Sequence, residues 1–209
     1  MLATTTLDTT CNKVNLDEVI NNQKHLNEKQ KRELKKVLIK FEKIFHGTLG
    51  VYQHRKVHIE LLADTVAKHV QPYAVPQVHL EAFRKELLRL CKLNVLEPIG
   101  ESEWAHPSFI TSKKDGTVRW ISNLRELNKV IKRKVYPLPI IADILQRRKG
   151  YKFFTKLDIS MQYYTFELDE ESQELCFIIT QFGKYKYKII PMGLKCAPDF
   201  SKQAMEKVL

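Results

Sequence analysis

The spacing of apolar residues changes near residue 95, and this change constrains the fold more than any other feature of the chain. Before it, residues 27–46 and 77–93 place apolar side chains three and four positions apart, which is typical of amphipathic helices. After it, short apolar and aromatic runs alternate with turn residues, which is typical of strands. Helices followed by a strand-rich region predict an α+β fold.

Two strand-like runs, 108–112 and 118–122, flank the sequence KKDGT. An Asp-Gly turn between extended runs predicts a β-hairpin, with Lys113 and Lys114 at its tip and Arg119 on its return strand. Cations held on a stiff two-stranded ribbon suit the phosphate oxygens of a nucleotide. Lysine is also common in ordinary solvated turns, so the hairpin alone leaves its function open.

One acid interrupts the strand-rich region. We expect strands near 153–158 and 163–168, and the first of them ends at Asp158. A hydrophobic residue would pack better at this position, so the run itself leaves the role of Asp158 open.

A strictly alternating run, KYKYK, lies in the last of the expected strands. These strands lie near 175–180 and 184–190. Because side chains alternate across a strand, the run would place Lys184, Lys186 and Lys188 on one face of a sheet and two tyrosines on the other. A final helix is expected to follow.

The positive charge of the chain limits the classes of partner that it is expected to bind. The 209 residues include 35 lysines and arginines against 24 aspartates and glutamates, a formal net charge of +11. This excess favours a polyanion, and nucleic acid before membrane, although a basic surface without a specific partner also fits. We expect nucleic-acid phosphates to contact Lys129, Lys132, Arg133, Lys134, Arg147 and Arg148.

Cysteine spacing and hydropathy argue against several other classes of protein. The four cysteines are too far apart in sequence for a zinc knuckle or a redox pair, and a reducing compartment fits them. His54 and His58 form an H-x-x-x-H pair, but no third ligand lies near them in sequence. The first residues lack the features of a secretory signal, and no apolar run approaches the about 20 residues of a membrane span.

Four stretches of the chain occur in an order and at a spacing that one protein family shares. They are SEWAHPSFITSKKDGTVRWISNLRELNKV, YPLPIIADIL, FFTKLDISMQYY and FGKYKYKIIPMGLKCAPDFSKQAME. From about residue 70 to residue 209, they resemble the fingers and early palm of a reverse transcriptase of the Ty3/gypsy class of LTR retrotransposons. The resemblance implies a right-hand polymerase fold with an incomplete palm sheet. It also implies part of an RNA-directed DNA polymerase, which copies retrotransposon RNA into DNA by two-metal nucleotidyl transfer.

The resemblance implies roles for residues at the metal and phosphate sites. Asp158 matches the first catalytic aspartate, which binds both magnesium ions, and Ile159 matches a residue whose backbone carbonyl binds a metal. Arg119, with Lys113 or Lys114, matches the residues that hold the triphosphate of the incoming deoxynucleotide. Two-metal phosphoryl transfer uses such hard oxygen ligands and cations around the reacting phosphate.

The resemblance further implies a sugar gate and a loop beside the nucleotide. Tyr163 matches the aromatic residue whose ring excludes a ribose 2′-hydroxyl and so selects deoxynucleotides. Pro191, Met192 and Gly193 match the loop near the nucleotide and the template.

The family's R-x-L-N stretch is matched by Arg125 and Asn128, and its implied role is mostly structural support. The chain departs from the usual family pattern at two positions. Asn123 stands where many relatives carry aspartate, and Gln162 stands where glycine is usual before the gate. Both departures affect only the detail of the assignment.

The sequence contains no Asp-Asp pair, although the family uses an x-x-Asp-Asp hairpin for its remaining metal ligands. We therefore expect the chain alone to be catalytically inactive and to bind magnesium weakly or not at all. The expected organisation is a polar tail at 1–25, a pre-fingers helix and linker at 26–76, and a truncated fingers and palm fragment at 77–209.

The implied partners are an RNA or DNA template with its primer, deoxynucleoside triphosphates, and the rest of a polyprotein with its palm, thumb, RNase H and integrase. No membrane partner is expected, and the expected location is the cytoplasm or a virus-like particle. Two alternatives remain open from the sequence. One is a nucleic-acid-binding module without catalysis, and the other is the remnant of a decayed element.

Overall fold

The computed structural model describes the backbone of most of the chain. The described residues are 6–7, 13–112, 117–152, 154–155 and 158–208. The chain divides into two compact units, one of which is Thr9–Gly50, while the other combines Met1–Asp8 with Val51–Leu209. None of the helices in the described part is long and apolar enough to cross a membrane.

The unit Thr9–Gly50 is helical. Its elements are α1 (Leu16–Asn21), α2 (Glu28–Lys40) and a short 3-10 helix (Glu42–Phe45). At the start of α2, Asn27 and Gln30 exchange two hydrogen bonds of 2.9 Å between side chain and backbone. This capping box satisfies N–H groups that have no partner within the helix, and it confirms the predicted helix start.

A six-stranded sheet forms the centre of the second unit. Its strands are β1 (Thr6–Leu7), β2 (Leu96–Ile99), β3 (His106–Ser112), β4 (Thr117–Ser122), β5 (Phe177–Thr180) and β6 (Gly183–Tyr187). The spatial order is β1-β4-β3-β5-β6-β2, with parallel pairs at β1–β4 and β3–β5. The antiparallel pairing of β3 with β4 confirms the predicted hairpin, and β5 and β6 confirm the last two predicted strands.

The same unit contains five α-helices among its described residues. They are α3 (Gln77–Lys92), α4 (Arg125–Val130), α5 (Ile141–Arg147), α6 (Glu170–Leu175) and α7 (Ala197–Val208). The apolar stripe of α3 packs on one face of the sheet, where the Phe83 ring stacks on Trp120 of β4 with centroids 4.9 Å apart. Phe83, Leu87 and Leu90 are fully buried, and each contributes roughly 1.5–3 kcal/mol by leaving water.

A buried hydrogen-bond network ties β3, β4 and β6 together beneath α3. The Trp120 indole N–H donates to the Tyr187 hydroxyl at 3.0 Å, and this hydroxyl lies 2.9 Å from Ser122 Oγ. Ser122 Oγ in turn lies 2.7 Å from Ser108 Oγ. Burial raises the pKa of Tyr187, so its hydroxyl stays protonated. The network requires one strand register, because a slip would leave these polar groups unpaired.

Residues 51–76 differ from the linker that the sequence predicts. Val57 and Ile59 are buried, with 2% and 4% of their surface exposed. The Val57 N–H donates to the Glu167 carbonyl at 2.8 Å, and its carbonyl accepts from the Asp169 N–H at 3.1 Å. The segment therefore belongs to the same unit as the sheet, and the unit boundary falls at residue 50 rather than residue 76.

The strands predicted at 153–158 and 163–168 do not form in the described part of those segments. The positions 153, 156 and 157 lie outside the described residues. Met161 adopts the left-handed conformation with a φ of 53°, and Gln162–Thr165 is a short 3-10 helix. The turn at Met161 and the 3-10 helix that follows it replace the expected strand. Tyr164 and Phe166 are both buried in this arrangement.

His106 of β3 is a fully buried histidine. Its Nε2–H donates to the Leu175 carbonyl at 3.0 Å, and Nδ1 has no hydrogen-bond partner among the described residues. Burial lowers the pKa of His106, and the hydrogen bond to Leu175 offsets only part of this effect. The neutral ring is therefore the form that the fold accommodates.

We expect His106 to make the stability of the chain depend on pH. Because its folded-state pKa is depressed, the unfolded state binds more protons as the pH falls below about 6.5, and stability is lost there. The slope approaches about 1.4 kcal/mol per pH unit between the two pKa values. Urea unfolding of wild type and His106→Gln from pH 8 to pH 5 measures this contribution. An unchanged slope in the variant would contradict it.

Candidate nucleotide and nucleic-acid site

Asp158 lies on an exposed, irregular segment that leads into the 3-10 helix Gln162–Thr165. Ile159 beside it is 45% exposed, so both its side chain and the adjacent carboxylate face open space. Among the described residues, no three histidine, cysteine or acidic side chains converge on a possible metal position. Asp158 thus offers one hard oxygen ligand of the kind that magnesium prefers, outside any cluster of three such side chains in the described part of the chain.

The fold brings the segment of Tyr163 against the segment that leads to Met192 and Gly193. The Ile190 N–H donates to the Phe166 carbonyl at 2.9 Å, three residues after half-buried Tyr163. Both predicted elements, the aromatic gate and the loop, therefore lie at one place in the fold.

The side chain of Asn128 holds this loop. Its Nδ2 donates to the Gly193 carbonyl at 2.7 Å, and its Oδ1 accepts from the Lys195 N–H at 2.8 Å. Gly193 has a φ of +94°, a conformation that residues with a Cβ rarely adopt. Asn128 on α4 thus joins two backbone groups of the loop, which is the structural support that the resemblance implies for it.

Arg119 lies on β4, opposite Thr111 of β3, and both side chains are exposed. Its position on the return strand of the hairpin is the one that the sequence predicts. Lys113 and Lys114, predicted at the tip, lie outside the described residues.

A cavity of about 550 Å³ lies beside this hairpin and reaches Gly193. The Asn123 Nδ2 donates to the Tyr73 hydroxyl at 2.5 Å, and the Arg125 Nε donates to Asn123 Oδ1 at 2.9 Å. The rings of Tyr73 and Phe109 meet edge to face with centroids 5.6 Å apart. Sequence reasoning missed Tyr73, because it lies in the expected linker and no local pattern distinguishes it.

The predicted nucleic-acid-binding cations at 129–134 are largely paired with carboxylates. Lys129 lies 2.6 Å from Glu126, and Lys132 and Lys134 share the single carboxylate of Glu60. Hydrogen bonding by Lys134 lowers the pKa of Glu60, which therefore stays ionised. These lysines keep 61% to 73% of their side-chain surface exposed, so a phosphate can still approach them.

Arg133 is placed differently from its lysine neighbours. Its Nε and second guanidinium nitrogen donate to the two oxygens of Asp199 at 2.6 and 3.1 Å, and Asp199 also accepts from the Tyr136 N–H at 2.9 Å. Burial raises the pKa of Asp199, but these hydrogen bonds lower it more, and the pKa lies below its usual value. Arg133 therefore joins its segment to α7.

The other predicted cations, Arg147 and Arg148, are exposed at the end of α5 beside Tyr151. A basic cavity of about 310 Å³ lies near Lys132 and Lys134. Arg55 and Lys56 also line it. Sequence reasoning did not predict these two cations as part of a site, because they lie in the segment expected to be a linker.

Comparisons with known proteins agree with this arrangement. Residues 111–209 match the family described as reverse transcriptase (RNA-dependent DNA polymerase). The chain is 33% identical over 172 residues to the uncharacterized protein K02A2.6 of Caenorhabditis elegans. The aligned region covers 81% of this chain and 14% of that protein. It is 26% identical over 151 residues to the Transposon Tf2-3 polyprotein of Schizosaccharomyces pombe. This alignment covers 72% of this chain and 11% of the polyprotein. The chain thus spans a small part of these relatives.

Solved structures share the fold. The Prototype Foamy Virus protease-reverse transcriptase matches with a TM-score of 0.80 and 24% identity, over 98% of this chain and 28% of that chain. The foamy viral protease-reverse transcriptase in complex with an RNA/DNA hybrid matches with a TM-score of 0.76 and 17% identity, over 93% of this chain and 26% of that chain. The predicted α+β fingers and palm fold is confirmed. The chain belongs to the reverse transcriptase family, as its resemblance to LTR-retrotransposon enzymes predicts.

Proposed function

We propose that this chain supplies the fingers and the front of the palm of an RNA-directed DNA polymerase that copies retrotransposon RNA into DNA. The observation that carries the proposal is the family match over 111–209, since it includes Arg119, Asp158, Tyr163 and the loop at Gly193. The backbone hydrogen bond between the segment of Tyr163 and the segment that leads to this loop supports it further.

Asp158 and the carbonyl of Ile159 would hold magnesium. Bound magnesium supplies charge stabilisation to the phosphoryl group and lowers the pKa of the attacking hydroxyl. One exposed carboxylate fits part of such a site, but it is a weak site by itself. Because the 209 residues contain no Asp-Asp pair, catalysis requires further acidic ligands from elsewhere in the polyprotein.

The nucleotide would lie between the hairpin and the loop. Arg119 and the lysines at the hairpin tip, Lys113 and Lys114, would bind the triphosphate as fixed cations. Tyr163 would exclude the ribose 2′-hydroxyl by contact with its ring. The loop with Met192 and Gly193 would border the nucleotide, with its backbone held by Asn128.

A primer annealed to a template is the proposed nucleic-acid ligand. Two foamy viral neighbours were solved with an RNA/DNA hybrid and with dsDNA. The best placed of the predicted cations are Lys132 and Lys134, which are exposed and share one carboxylate, and Arg147 and Arg148, which are exposed at the end of α5. Arg133 contributes less, since Asp199 already occupies its guanidinium.

We expect binding of primer–template to weaken steeply as salt rises, because phosphate contacts release counterions. The Lys132→Gln/Lys134→Gln variant should lower the slope of log affinity against log salt by about 2, at about one per lysine. Fluorescence anisotropy with a labelled primer–template measures both slopes. Lys24→Gln/Lys29→Gln, which removes two exposed lysines from the helical unit, is the matched control and should keep the slope of wild type. A flat salt response in wild type would refute the proposed ligand.

A further inference from the structure

The basic cavity beside Lys132 and Lys134 is formed by three segments that are far apart in the sequence. They are 55–60, 131–136 and 196–203. The Lys132 N–H donates to the Glu60 carbonyl at 2.8 Å, which joins the first two segments, and the pair of Arg133 with Asp199 joins the last two. The volume of the cavity, about 310 Å³, lies at the lower end of the range for small-molecule sites. The fold itself therefore forms the cavity, and its size suits a small ligand.

Part of the lining of the basic cavity is apolar and buried. Ile59, Ile131 and Cys196 keep only 4%, 3% and 5% of their surface exposed. Burial raises the pKa of Cys196 to about 11, so its thiol stays protonated and adds no charge. Phe200 of α7, which is half-buried, extends this apolar surface. An apolar part of a ligand can therefore leave water here.

Cations outnumber carboxylates along the wall of the basic cavity. The cations are Arg55, Lys56, Lys132 and Lys134. Glu60 is shared by the last two of them, so it neutralises one positive charge, and Arg133 neutralises Asp199, the other carboxylate of the wall. No carboxylate among the described residues pairs with Arg55 or Lys56. The wall therefore keeps an excess of about three positive charges.

Two acids lie next to His58, which also lines the cavity. Asp169 lies 2.7 Å from His58 Nδ1, and Glu171 lies 4.0 Å from it. Neither acid lines the cavity itself, and Asp169 already accepts a hydrogen bond from the Ser172 N–H at 2.9 Å. Even if both acids acted on the cavity in full, the charge of its wall would stay positive.

The guanidinium of Arg55 is held in place at this wall. Its Nη2 donates to the Gln203 side chain, and its Cζ lies 5.8 Å from the centre of the Phe200 ring, within the range of a cation–π contact. Gln203 accepts from only one of the guanidinium nitrogens, so other N–H groups stay available. A planar fork of this kind suits a phosphate with several free oxygens. Arg55 is therefore oriented before a ligand arrives, unlike a lysine in an ordinary solvated turn.

We propose that the basic cavity binds a small phosphomonoester that carries an apolar ring. The phosphate lies against Arg55 and Lys56, and the ring lies against Ile59, Ile131 and Phe200. A phosphomonoester carries a charge of about −1.5 to −2 at neutral pH, whereas each phosphodiester of a nucleic acid carries about −1. The concentrated charge of the phosphomonoester matches the excess of positive charge in one small cavity. This inference does not rest on the proposed function, because neither Arg55 nor Lys56 belongs to the proposed polymerase site.

The test is the affinity of the whole chain for phenyl phosphate, measured by isothermal titration calorimetry at low salt and pH 8. Arg55→Gln/Lys56→Gln should lower the affinity by at least about tenfold, because it removes the guanidinium fork and an ammonium group without a carboxylate partner. Lys24→Gln/Lys29→Gln, which removes two exposed lysines of the helical unit, is the matched control and should keep the affinity of wild type. No saturable binding by wild type, or equal losses in the two variants, would overturn the proposal.

Two related ligands test the chemistry of the site. Phenyl sulfate has the shape of phenyl phosphate but a single negative charge, and inorganic phosphate lacks the ring. Both should bind several-fold more weakly than phenyl phosphate. Phenyl sulfate that binds as tightly would overturn the assignment to a phosphomonoester, and inorganic phosphate that binds as tightly would overturn the role of the apolar side chains.

Another variant tests the sign of the charge effect. Glu60→Gln removes the carboxylate that neutralises part of the wall, so it should raise the affinity for phenyl phosphate. Glu81→Gln, on the exposed side of α3, removes the same charge elsewhere and should not change the affinity. A lowered or unchanged affinity in Glu60→Gln contradicts the proposal.

Primer–template binding by the same variants separates this inference from the proposed function. Arg55→Gln/Lys56→Gln should change the affinity for primer–template much less than the affinity for phenyl phosphate. Equal losses for both ligands would mean that the cavity belongs to a nucleic-acid surface, which would overturn this inference and leave the proposed function intact. A wild-type chain that binds phenyl phosphate but no primer–template would refute the proposed function and support this inference.

Discussion

Replacement of Asp199 by alanine is expected to lower the free energy of unfolding by about 3 kcal/mol. The Asp199 side chain is 5% exposed, and it accepts hydrogen bonds from Arg133 and from the Tyr136 N–H. The variant leaves this N–H without its acceptor and the guanidinium without its counter-charge. This loss of stability lies near the lower end of the range for variants that break a buried ion pair. The reason is that Arg133 is 38% exposed, so water can solvate its guanidinium.

Urea unfolding followed by circular dichroism measures this loss. Asp143→Ala is the matched control, since Asp143 is also an acid in the first turn of a helix but is exposed, and it should cost less than about 1 kcal/mol. Similar losses in both variants would show that the charge at the helix start, rather than the contact with Arg133, stabilises the fold.

A second variant, Asp199→Asn, tests the pH dependence that follows from the lowered pKa of Asp199. A depressed carboxyl pKa stabilises the folded state above the unfolded-state value of about 3.9, and this stabilisation is lost as the pH falls through the folded-state value. Wild type should therefore lose its advantage over Asp199→Asn at strongly acidic pH and retain it in full at neutral pH.

Replacement of Asn128 by alanine is expected to cost about 2 kcal/mol of stability, at about 1 kcal/mol for each of its two hydrogen bonds. The effect on the loop that Asn128 holds should be larger than the effect on the free energy of global unfolding. The Lys195 amide donates to Asn128 Oδ1, so its hydrogen exchange should become fast when this acceptor is removed.

Two neighbouring variants make this prediction specific. Asn128→Asp keeps an oxygen for the Lys195 N–H and loses the donor to the Gly193 carbonyl, so it should preserve protection at Lys195 only. Lys129→Ala, next on α4 and 67% exposed, should change stability by less than about 0.5 kcal/mol. Protection at Lys195 that survives in Asn128→Ala would contradict the role of Asn128 in holding the loop.

Local patterns in the sequence were sufficient for many elements of this protein. The capping box at Asn27 and the apolar stripe of α3 specify their helices through contacts between residues that are near in sequence. The Asp-Gly turn specifies the β3–β4 hairpin in the same way. The order of the family motifs identified the reverse transcriptase family and the candidate roles of Asp158 and Tyr163.

Only the tertiary structure decided how distant segments meet. The segment with Val57 looks like a linker because its backbone partners, such as Glu167, lie about 110 positions away and leave no local pattern. Arg133 looks like its lysine neighbours until α7 brings Asp199 to it. The sequence determined which residues carry charge and which helices and strands form; the packing of the chain decided which charges are neutralised and which stay available to a ligand, because that depends on partners far apart in sequence.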